Sequence, residues 1–120
     1  MFSIEVECSS GTYIRSLAAD VGAALGGGAH LRHLRRVAIG SFGLDEARPL
    51  EALSTDAVVS PAEALRDYRA VTADAEMAAA VGFGRPLPSL PDGTVRVVSD
   101  GGSLLAVYTD GRPAVVLAPA

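Results

Sequence analysis

Three short runs of alternating apolar and polar residues, separated by Asp-Gly dipeptides, lie near the end of this 120-residue chain. They cover residues 94 to 99, 104 to 109 and 114 to 117, and the turns between them contain Asp100-Gly101-Gly102 and Asp110-Gly111. Asp-Gly between alternating runs is the strongest short-range signal of a β-hairpin, because such a turn needs residues that tolerate a positive φ. The pattern predicts a minimal β unit, too small to form a closed barrel.

The beginning of the chain predicts one strand followed by one helix. Apolar and polar residues alternate over residues 2 to 8, which is the period of a half-buried strand. This strand ends at Cys8, the only cysteine, which has no partner for a disulfide or a zinc site and is therefore expected to be a small buried residue. Thr12 is a suitable cap for a helix with apolar spacing over residues 14 to 25, and three glycines then end that helix.

The rest of the chain is predicted to contain further short helices and strands. The expected elements are a helical turn over residues 30 to 34, a strand over 37 to 42, short helices over 50 to 53 and 61 to 65, and a helix over 77 to 81 capped by Thr72 or Asp74. The pattern changes around residues 68 to 71, so we divide the chain into two domains, residues 1–69 and 70–120. The predicted fold class is α+β: part of a mixed or antiparallel sheet with a packed helix, followed by a small β domain.

Basic residues are concentrated in one short segment, although the net charge of the chain is -4. Between residues 21 and 44 there is no acidic residue, and seven consecutive positions in this stretch include His30, Arg32, His33, Arg35 and Arg36. A phosphate backbone responds to such a local cationic patch rather than to the overall charge. The alternatives are a solvated charged surface and, for His30, a core histidine.

Tyr13 and Arg15 lie where the first predicted strand gives way to the first predicted helix. Side chains at such a junction project from a rigid scaffold and often form a site. Arg15 is near the positive end of the helix dipole, where a cation is mildly disfavoured. Because no acid of the flanking sequence is placed to compensate it, we expect a carboxylate or a phosphate from elsewhere. The alternative is an ordinary exposed helix arginine.

These residues belong to a longer pattern that resembles a known family. Residues 8 to 15 read Cys-Ser-Ser-Gly-Thr-Tyr-Ile-Arg, residues 28 to 36 read Gly-Ala-His-Leu-Arg-His-Leu-Arg-Arg, and Gly-Ser-Phe follows at 40 to 42. The pattern is similar to the TruB family of tRNA pseudouridine synthases, densely over residues 4 to 47. Residues 48 to 120 match more loosely, in the manner of the family's linker helices and its PUA-like C-terminal domain.

The resemblance implies an activity and a role for each site residue. Members of the family isomerise a T-loop uridine of tRNA to pseudouridine without a cofactor or a metal, by attack of a catalytic aspartate. Arg15 matches the arginine that pairs with this aspartate, and such a pair favours the ionised carboxylate. Tyr13 and Leu34 match residues that line the pocket for the flipped base. The residues expected to form a cationic rim beside that pocket are His30, Arg32, Arg35 and Arg36.

The aspartate motif of the family, Gly-x-Leu-Asp, has no counterpart in this chain. Gly43-Leu44-Asp45 is superficially close, but it follows a predicted strand in a segment that the family carries separately. We therefore expect a fragment or truncated gene product that binds the T arm of tRNA and needs the N-terminal half of a monomeric enzyme for catalysis. Two alternatives stay open: a catalytically inactive RNA-binding module, and a structural remnant without RNA affinity.

The sequence contains no apolar run of the roughly 18 residues that cross a bilayer. The beginning of the chain shows no basic segment leading into an apolar stretch and a cleavage site. We therefore expect no membrane partner and a cytoplasmic location.

Overall fold

The computed structural model describes residues 1 to 117 of the chain. The helices and strands follow the order α1 (Ile14–Ala24), β1 (Ala38–Ile39), β2 (Phe42–Gly43), α2 (Pro61–Ala64), β3 (Arg69–Thr72), α3 (Ala75–Gly82), β4 (Thr94–Val98), β5 (Leu104–Thr109) and β6 (Arg112–Val116). Two single-turn 3₁₀ helices, Leu50–Ala52 and Thr55–Ala57, precede α2. The predicted α+β class is confirmed. No helix within residues 1 to 117 has the length and apolar character needed to cross a membrane.

Contacts divide the chain into two units, Met1–Val37 and the residues from Ala38 onward. We call them the amino-terminal and carboxy-terminal units. The predicted domain division between residues 69 and 70 falls inside strand β3. As a statement about the complete protein that division stays a prediction, and residues 118 to 120 of its second domain lie outside the described part.

The carboxy-terminal unit is built on a four-stranded sheet with the order β3-β4-β5-β6. Strands β4, β5 and β6 form two consecutive antiparallel hairpins, as predicted. The turn between β5 and β6 places Asp110 at φ 50° and Gly111 at φ 72°, which is the backbone that Asp-Gly favours. Strand β3 pairs with β4 in parallel, a pairing that requires the crossover containing α3.

The hydrophobic core lies between α3 and one face of this sheet. Helix α3 begins at Asp74, whose Oδ1 accepts a 2.8 Å hydrogen bond from the Met77 backbone N–H, so the predicted cap is confirmed. Alternate strand residues point into the core, and the fully buried larger side chains are those of Val81, Val95, Val97 and Tyr108. Burial raises the pKa of the Tyr108 phenol.

A short hairpin, β1-β2, replaces the single strand predicted over residues 37 to 42. Its turn is Gly40-Ser41, and Gly40 adopts φ 55°, which a continuous strand does not allow. Asp67 fixes this turn, because its Oδ2 accepts a 3.0 Å hydrogen bond from the Ser41 backbone N–H. A side chain at residue 40 would collide with the same Asp67 carboxylate.

Arg66 joins the hairpin to the segment around α2, in what we call the Arg66 clamp. Its Nε donates to Ser41 Oγ at 2.7 Å, and its Nη2 donates to the Ser41 carbonyl oxygen at 2.8 Å. Both terminal nitrogens bind the two carboxylate oxygens of Glu46, and Nη1 also lies 3.0 Å from Glu63 Oε1. The guanidinium carbon lies 3.8 Å from the centre of the Phe42 ring. A planar fork suits this arrangement, and a lysine could not reproduce it.

The Arg66 clamp and the neighbouring Asp67–Ser41 hydrogen bond are expected to lose their contribution to stability in acid. The hydrogen bond from Arg66 holds the pKa of the Glu46 carboxyl below its usual value, and hydrogen bonds from Ser41 do the same for Asp67. A lowered folded-state pKa contributes stability above the unfolded-state value, and this contribution is lost as pH falls through the folded value. Replacing Glu46 by Gln and Asp67 by Asn together should therefore flatten the fall in melting temperature below about pH 4.

Thermal unfolding followed by circular dichroism at a series of pH values measures this effect. The matched control replaces Glu51 by Gln and Asp92 by Asn, because these carboxylates make no side-chain hydrogen bond or ion pair within residues 1 to 117. The control should keep the acid sensitivity of the unchanged chain. Equal acid sensitivity in both double variants would contradict the role given to Glu46 and Asp67.

The amino-terminal unit consists of helix α1 between two segments without regular secondary structure. The strand predicted over residues 2 to 8 is absent: Phe2 is 90% exposed, and Cys8 is exposed rather than buried. A strand needs a partner for its backbone groups, and no other strand of the described chain pairs with this segment. The helical turn predicted over residues 30 to 34 is also absent.

Candidate nucleic-acid interface

Tyr13 and Arg15 lie at the exposed start of α1. Tyr13, rather than the predicted Thr12, is the residue that precedes the helix, with φ -88° and ψ 103° and without a side-chain capping bond. Its ring is 79% exposed. Arg15 is the second residue of the helix and is exposed. The strand-to-helix junction predicted from the sequence is thus a coil-to-helix junction with both side chains accessible.

The start of α1 is electrostatically uncompensated. The first turn of the helix contains no acidic residue, and its leading backbone N–H groups give this end a partial positive charge. Arg15 adds a full positive charge there. Within residues 1 to 117 both ion pairs involve Arg66, so Arg15 has no carboxylate partner in the described chain. Tyr13 and Arg15 therefore present a site that is suited to a carboxylate or a phosphate.

The cationic segment, residues 30 to 36, forms an extended and accessible surface. It contains His30, Arg32, His33, Arg35 and Arg36, all of them exposed. Leu31 is half-buried, whereas Leu34 is 65% exposed. None of the arginines of the segment forms an ion pair with an acid of the part of the chain that the structure describes. Accessible, unpaired guanidinium groups of this kind are suited to phosphate contacts.

One close approach inside the amino-terminal unit brings the chain back to α1 after the glycine turn. Gly22 is the buried residue of this unit, and the other residues from 1 to 37 are half-buried or exposed. A Cβ atom on Gly22 would lie 2.6 Å from the Ala29 backbone nitrogen and even nearer to the Ala29 Cβ. Ala29 immediately precedes the cationic segment, so this crossing joins that segment to the helix that carries Arg15.

The structure places all the site residues predicted from the sequence in the amino-terminal unit. They are Tyr13, Arg15, His30, Arg32, Leu34, Arg35 and Arg36, and each of them is exposed. Their individual roles stay predictions. Sequence reasoning missed Gly22 and Ala29; the available signal was a glycine inside an otherwise regular helical pattern, which is unfavourable unless packing requires it.

The carboxy-terminal unit has the opposite electrostatic character. From residue 38 onward the sequence contains six arginines and eleven acidic residues. Arg66 is engaged by carboxylates, and Arg96 donates to the backbone carbonyl oxygens of Ala62 and Tyr68. One exposed pair, which sequence reasoning also missed, is Arg85 above the Phe83 ring at 5.4 Å. The local positive charge is therefore concentrated in the amino-terminal unit.

Metal ions in proteins are usually held by clusters of His, Cys, Asp or Glu side chains. No group of three or more His, Cys, Asp or Glu side chains within residues 1 to 117 is arranged to bind one.

The sequence of this chain is similar to a known domain and to several known proteins. A sequence model described as the tRNA pseudouridylate synthase B C-terminal domain matches residues 15–78. The protein named tRNA pseudouridine synthase B from Arthrobacter sp. (strain FB24) is 39% identical over 132 residues, covering 97% of this chain and 43% of the relative. The protein of the same name from Mycobacterium sp. (strain KMS) is 45% identical over 126 residues, covering 98% of this chain and 42% of the relative. The one from Xanthomonas campestris pv. campestris (strain B100) is 44% identical over 124 residues, with 91% and 40% covered. The chain spans about two fifths of the length of these relatives.

Proposed function

We propose, since this chain belongs to the tRNA pseudouridylate synthase B C-terminal domain family, that it works as the C-terminal part of an enzyme that isomerises a T-loop uridine of tRNA to pseudouridine. The observation that carries this proposal is the accessible, unpaired guanidinium of Arg15 at a helix start without acidic residues. Such a group is available for a carboxylate supplied by another part of the protein. The complete enzyme is proposed to act as a cytoplasmic monomer.

Arg15 holds the catalytic aspartate in this proposal. The resemblance to the TruB family provides the aspartate, which attacks the target nucleoside before the uracil is detached, rotated and rejoined through carbon. A guanidinium binds a carboxylate through two parallel hydrogen bonds, which both orients the carboxylate and favours its ionised form. The positive end of α1 acts in the same direction. Arg15 thus keeps the nucleophile charged and aimed without taking part in bond formation.

Tyr13 and Leu34 form the wall that receives the flipped uracil. Extracting a base from its stack costs a few kcal/mol, which aromatic and apolar contacts with the enzyme offset. Both side chains are largely exposed in this chain, at 79% and 65%, and are therefore free to contact a base. A buried tyrosine ring would have excluded this role.

The cationic segment binds the phosphate backbone of the T arm. Its exposed arginines, Arg32, Arg35 and Arg36, have no acidic partner within residues 1 to 117, so they release counterions rather than break ion pairs when RNA binds. His30 lies at the edge of the same surface. The carboxy-terminal unit, in which eleven acidic residues outnumber six arginines, contributes little to this phosphate binding.

We predict that the chain alone forms no pseudouridine. The catalytic aspartate motif is absent from its sequence, and Arg15 cannot act on substrate without it. Purified chain incubated with unmodified tRNA, followed by digestion and chromatography of the nucleosides, measures the product. Turnover by the isolated chain would contradict the proposal that catalysis needs an aspartate from another part of the enzyme.

A chimera provides the positive control for this experiment. The amino-terminal part of the tRNA pseudouridine synthase B from Mycobacterium sp. (strain KMS), joined upstream of Met1, should restore pseudouridine formation on the same tRNA. The product should lie in the T loop. An inactive but folded chimera that still binds tRNA would instead favour the second candidate.

That second candidate is an RNA-binding module without catalysis, which the exposed, unpaired cationic segment favours. Salt-dependent binding of tRNA by the isolated chain tests it. Each phosphate contact contributes nearly one unit to the slope of the logarithm of affinity against the logarithm of salt concentration. Binding without any activity in the chimera supports the module, whereas binding together with activity in the chimera supports the enzyme.

A further inference from the structure

We infer that Gly22 is a positioning residue for the tRNA-binding surface: the absence of a side chain at this residue lets Ala29 pack on helix α1 and thereby fixes the cationic segment relative to Tyr13 and Arg15. The inference rests on the proposed function and adds a residue that does not touch RNA itself. Among residues 1 to 37, Gly22 is the only one that is buried.

The contact leaves no room for a side chain. A Cβ on Gly22 would lie 2.6 Å from the Ala29 nitrogen and 3.0 Å from the Ala29 Cα. Two of the three nearest atoms are therefore backbone atoms, which cannot rotate away as a flexible side chain does. Any residue other than glycine has to push the returning chain off the helix.

Helix propensity alone predicts the opposite effect for an alanine at residue 22. Gly22 lies in the interior of α1, where alanine is intrinsically more favourable than glycine. If Gly22 were only a tolerated helix residue, an alanine there would strengthen the helix and leave the rest of the unit unchanged. A loss of RNA binding with a preserved helix therefore identifies the crossing, and not the helix, as the reason for the glycine.

The crossing matters because the cationic segment has no secondary structure of its own. Residues 30 to 36 form neither helix nor strand, so their placement depends on what holds their ends. Ala29 holds the first end against α1, directly before His30. Arg15 and Tyr13 lie at the start of the same helix. The cationic segment can contact phosphates while Tyr13 contacts the base only when the segment and the start of α1 keep a fixed separation.

The chain offers a matched control within a few residues. A Cβ atom on Gly28 would meet open space, and the φ of Gly28 is not positive, so Gly28→Ala makes the same glycine-to-alanine change directly before Ala29 without a collision. Combining Gly22→Ala with Ala29→Gly removes the nearest clash, between the two Cβ atoms, but leaves the backbone nitrogen in place. This double variant should recover part of the lost binding.

The test measures tRNA binding by the chain over a range of salt concentrations for each variant. Gly22→Ala should weaken binding roughly tenfold at low salt and lower the salt slope by about one unit, because fewer phosphates are contacted at once. Gly28→Ala should bind as the unchanged chain. A partly unfolded protein would lose affinity but keep the slope of its folded fraction, so the slope separates displacement from simple instability.

A nuclear Overhauser contact between the Gly22 Hα protons and the Ala29 methyl group reports the crossing independently of RNA. It should be present in the unchanged chain and in Gly28→Ala. If Gly22→Ala displaces Ala29 but keeps wild-type affinity and slope, the positioning role is overturned while the proposed function stands. If the unchanged chain shows the Overhauser contact but no salt-dependent tRNA binding, both the tRNA surface and the role of Gly22 in it are overturned.

Discussion

Replacing Arg15 by lysine in the complete enzyme is expected to lower the rate of pseudouridine formation by about a hundredfold or more. Lysine keeps the charge but loses the planar fork that binds both carboxylate oxygens, so the aspartate is held less firmly and in more than one orientation. The expected loss falls mainly on kcat, because Arg15 acts on the nucleophile and not on the RNA backbone. Single-turnover and steady-state assays on a T-arm substrate measure kcat and KM separately.

Arg112→Lys is the matched control for this variant. Arg112 is an exposed arginine at the start of β6, far along the chain from Tyr13 and the cationic segment. The control enzyme should retain full activity, which excludes a general effect of exchanging arginine for lysine. Equal turnover by Arg15→Lys and Arg112→Lys would remove Arg15 from the site and leave the proposed function without its main support.

Elements whose signals are local could be predicted from the sequence. The two hairpins of β4, β5 and β6 depend on Asp-Gly turns between alternating runs, and both the turn residues and their partners lie within a few positions of each other. Helix α3 likewise begins at a predicted cap, Asp74, and helix α1 ends before the predicted glycines. In each case a single stretch of sequence contains the whole physical reason for the element.

Elements that depend on distant partners could not be predicted in this way. Strand β3 has only four residues, and it becomes a strand because β4 lies alongside it in parallel after the crossover through α3. At residues 2 to 8 a strand was predicted and is absent. The alternating pattern is clear there, but no partner strand is present in the described chain. Periodicity gives the face that a strand would bury, and it does not say whether a partner exists.

The residues proposed for the candidate site were named from the sequence alone, whereas their arrangement came from the structure. The clustering of His30 and the arginines after it is a property of the sequence, and the structure confirms that these residues are exposed. The absence of acid from the first turn of α1 was also readable. The return of Ala29 onto Gly22 was not, because a close approach of two backbone segments has no periodic signature.

Truncating Tyr108 to alanine is expected to produce the largest loss of stability in the carboxy-terminal unit. Its side chain is 0% exposed and packs in the core with Val81, Val95 and Val97. Removing a buried aromatic ring destabilises a domain by about 3 to 5 kcal/mol, because apolar contacts are lost and a cavity remains. Since small domains are stable by only about 5 to 15 kcal/mol, urea denaturation followed by circular dichroism should show a large shift of the midpoint.

Tyr108→Phe separates the ring from its hydroxyl group. The Tyr108 hydroxyl donates a 2.8 Å hydrogen bond to the Arg85 backbone carbonyl oxygen, which ties the loop after α3 to the sheet. Phenylalanine keeps the packing and loses this bond, so we expect a cost of about 1 kcal/mol. The loop carries the exposed Phe83 and Arg85 pair, and its amide hydrogens should exchange faster in this variant than in the unchanged chain. Equal urea midpoints for Tyr108→Ala and Tyr108→Phe would mean that the hydroxyl, and not the ring, stabilises the unit, contrary to the packing argument.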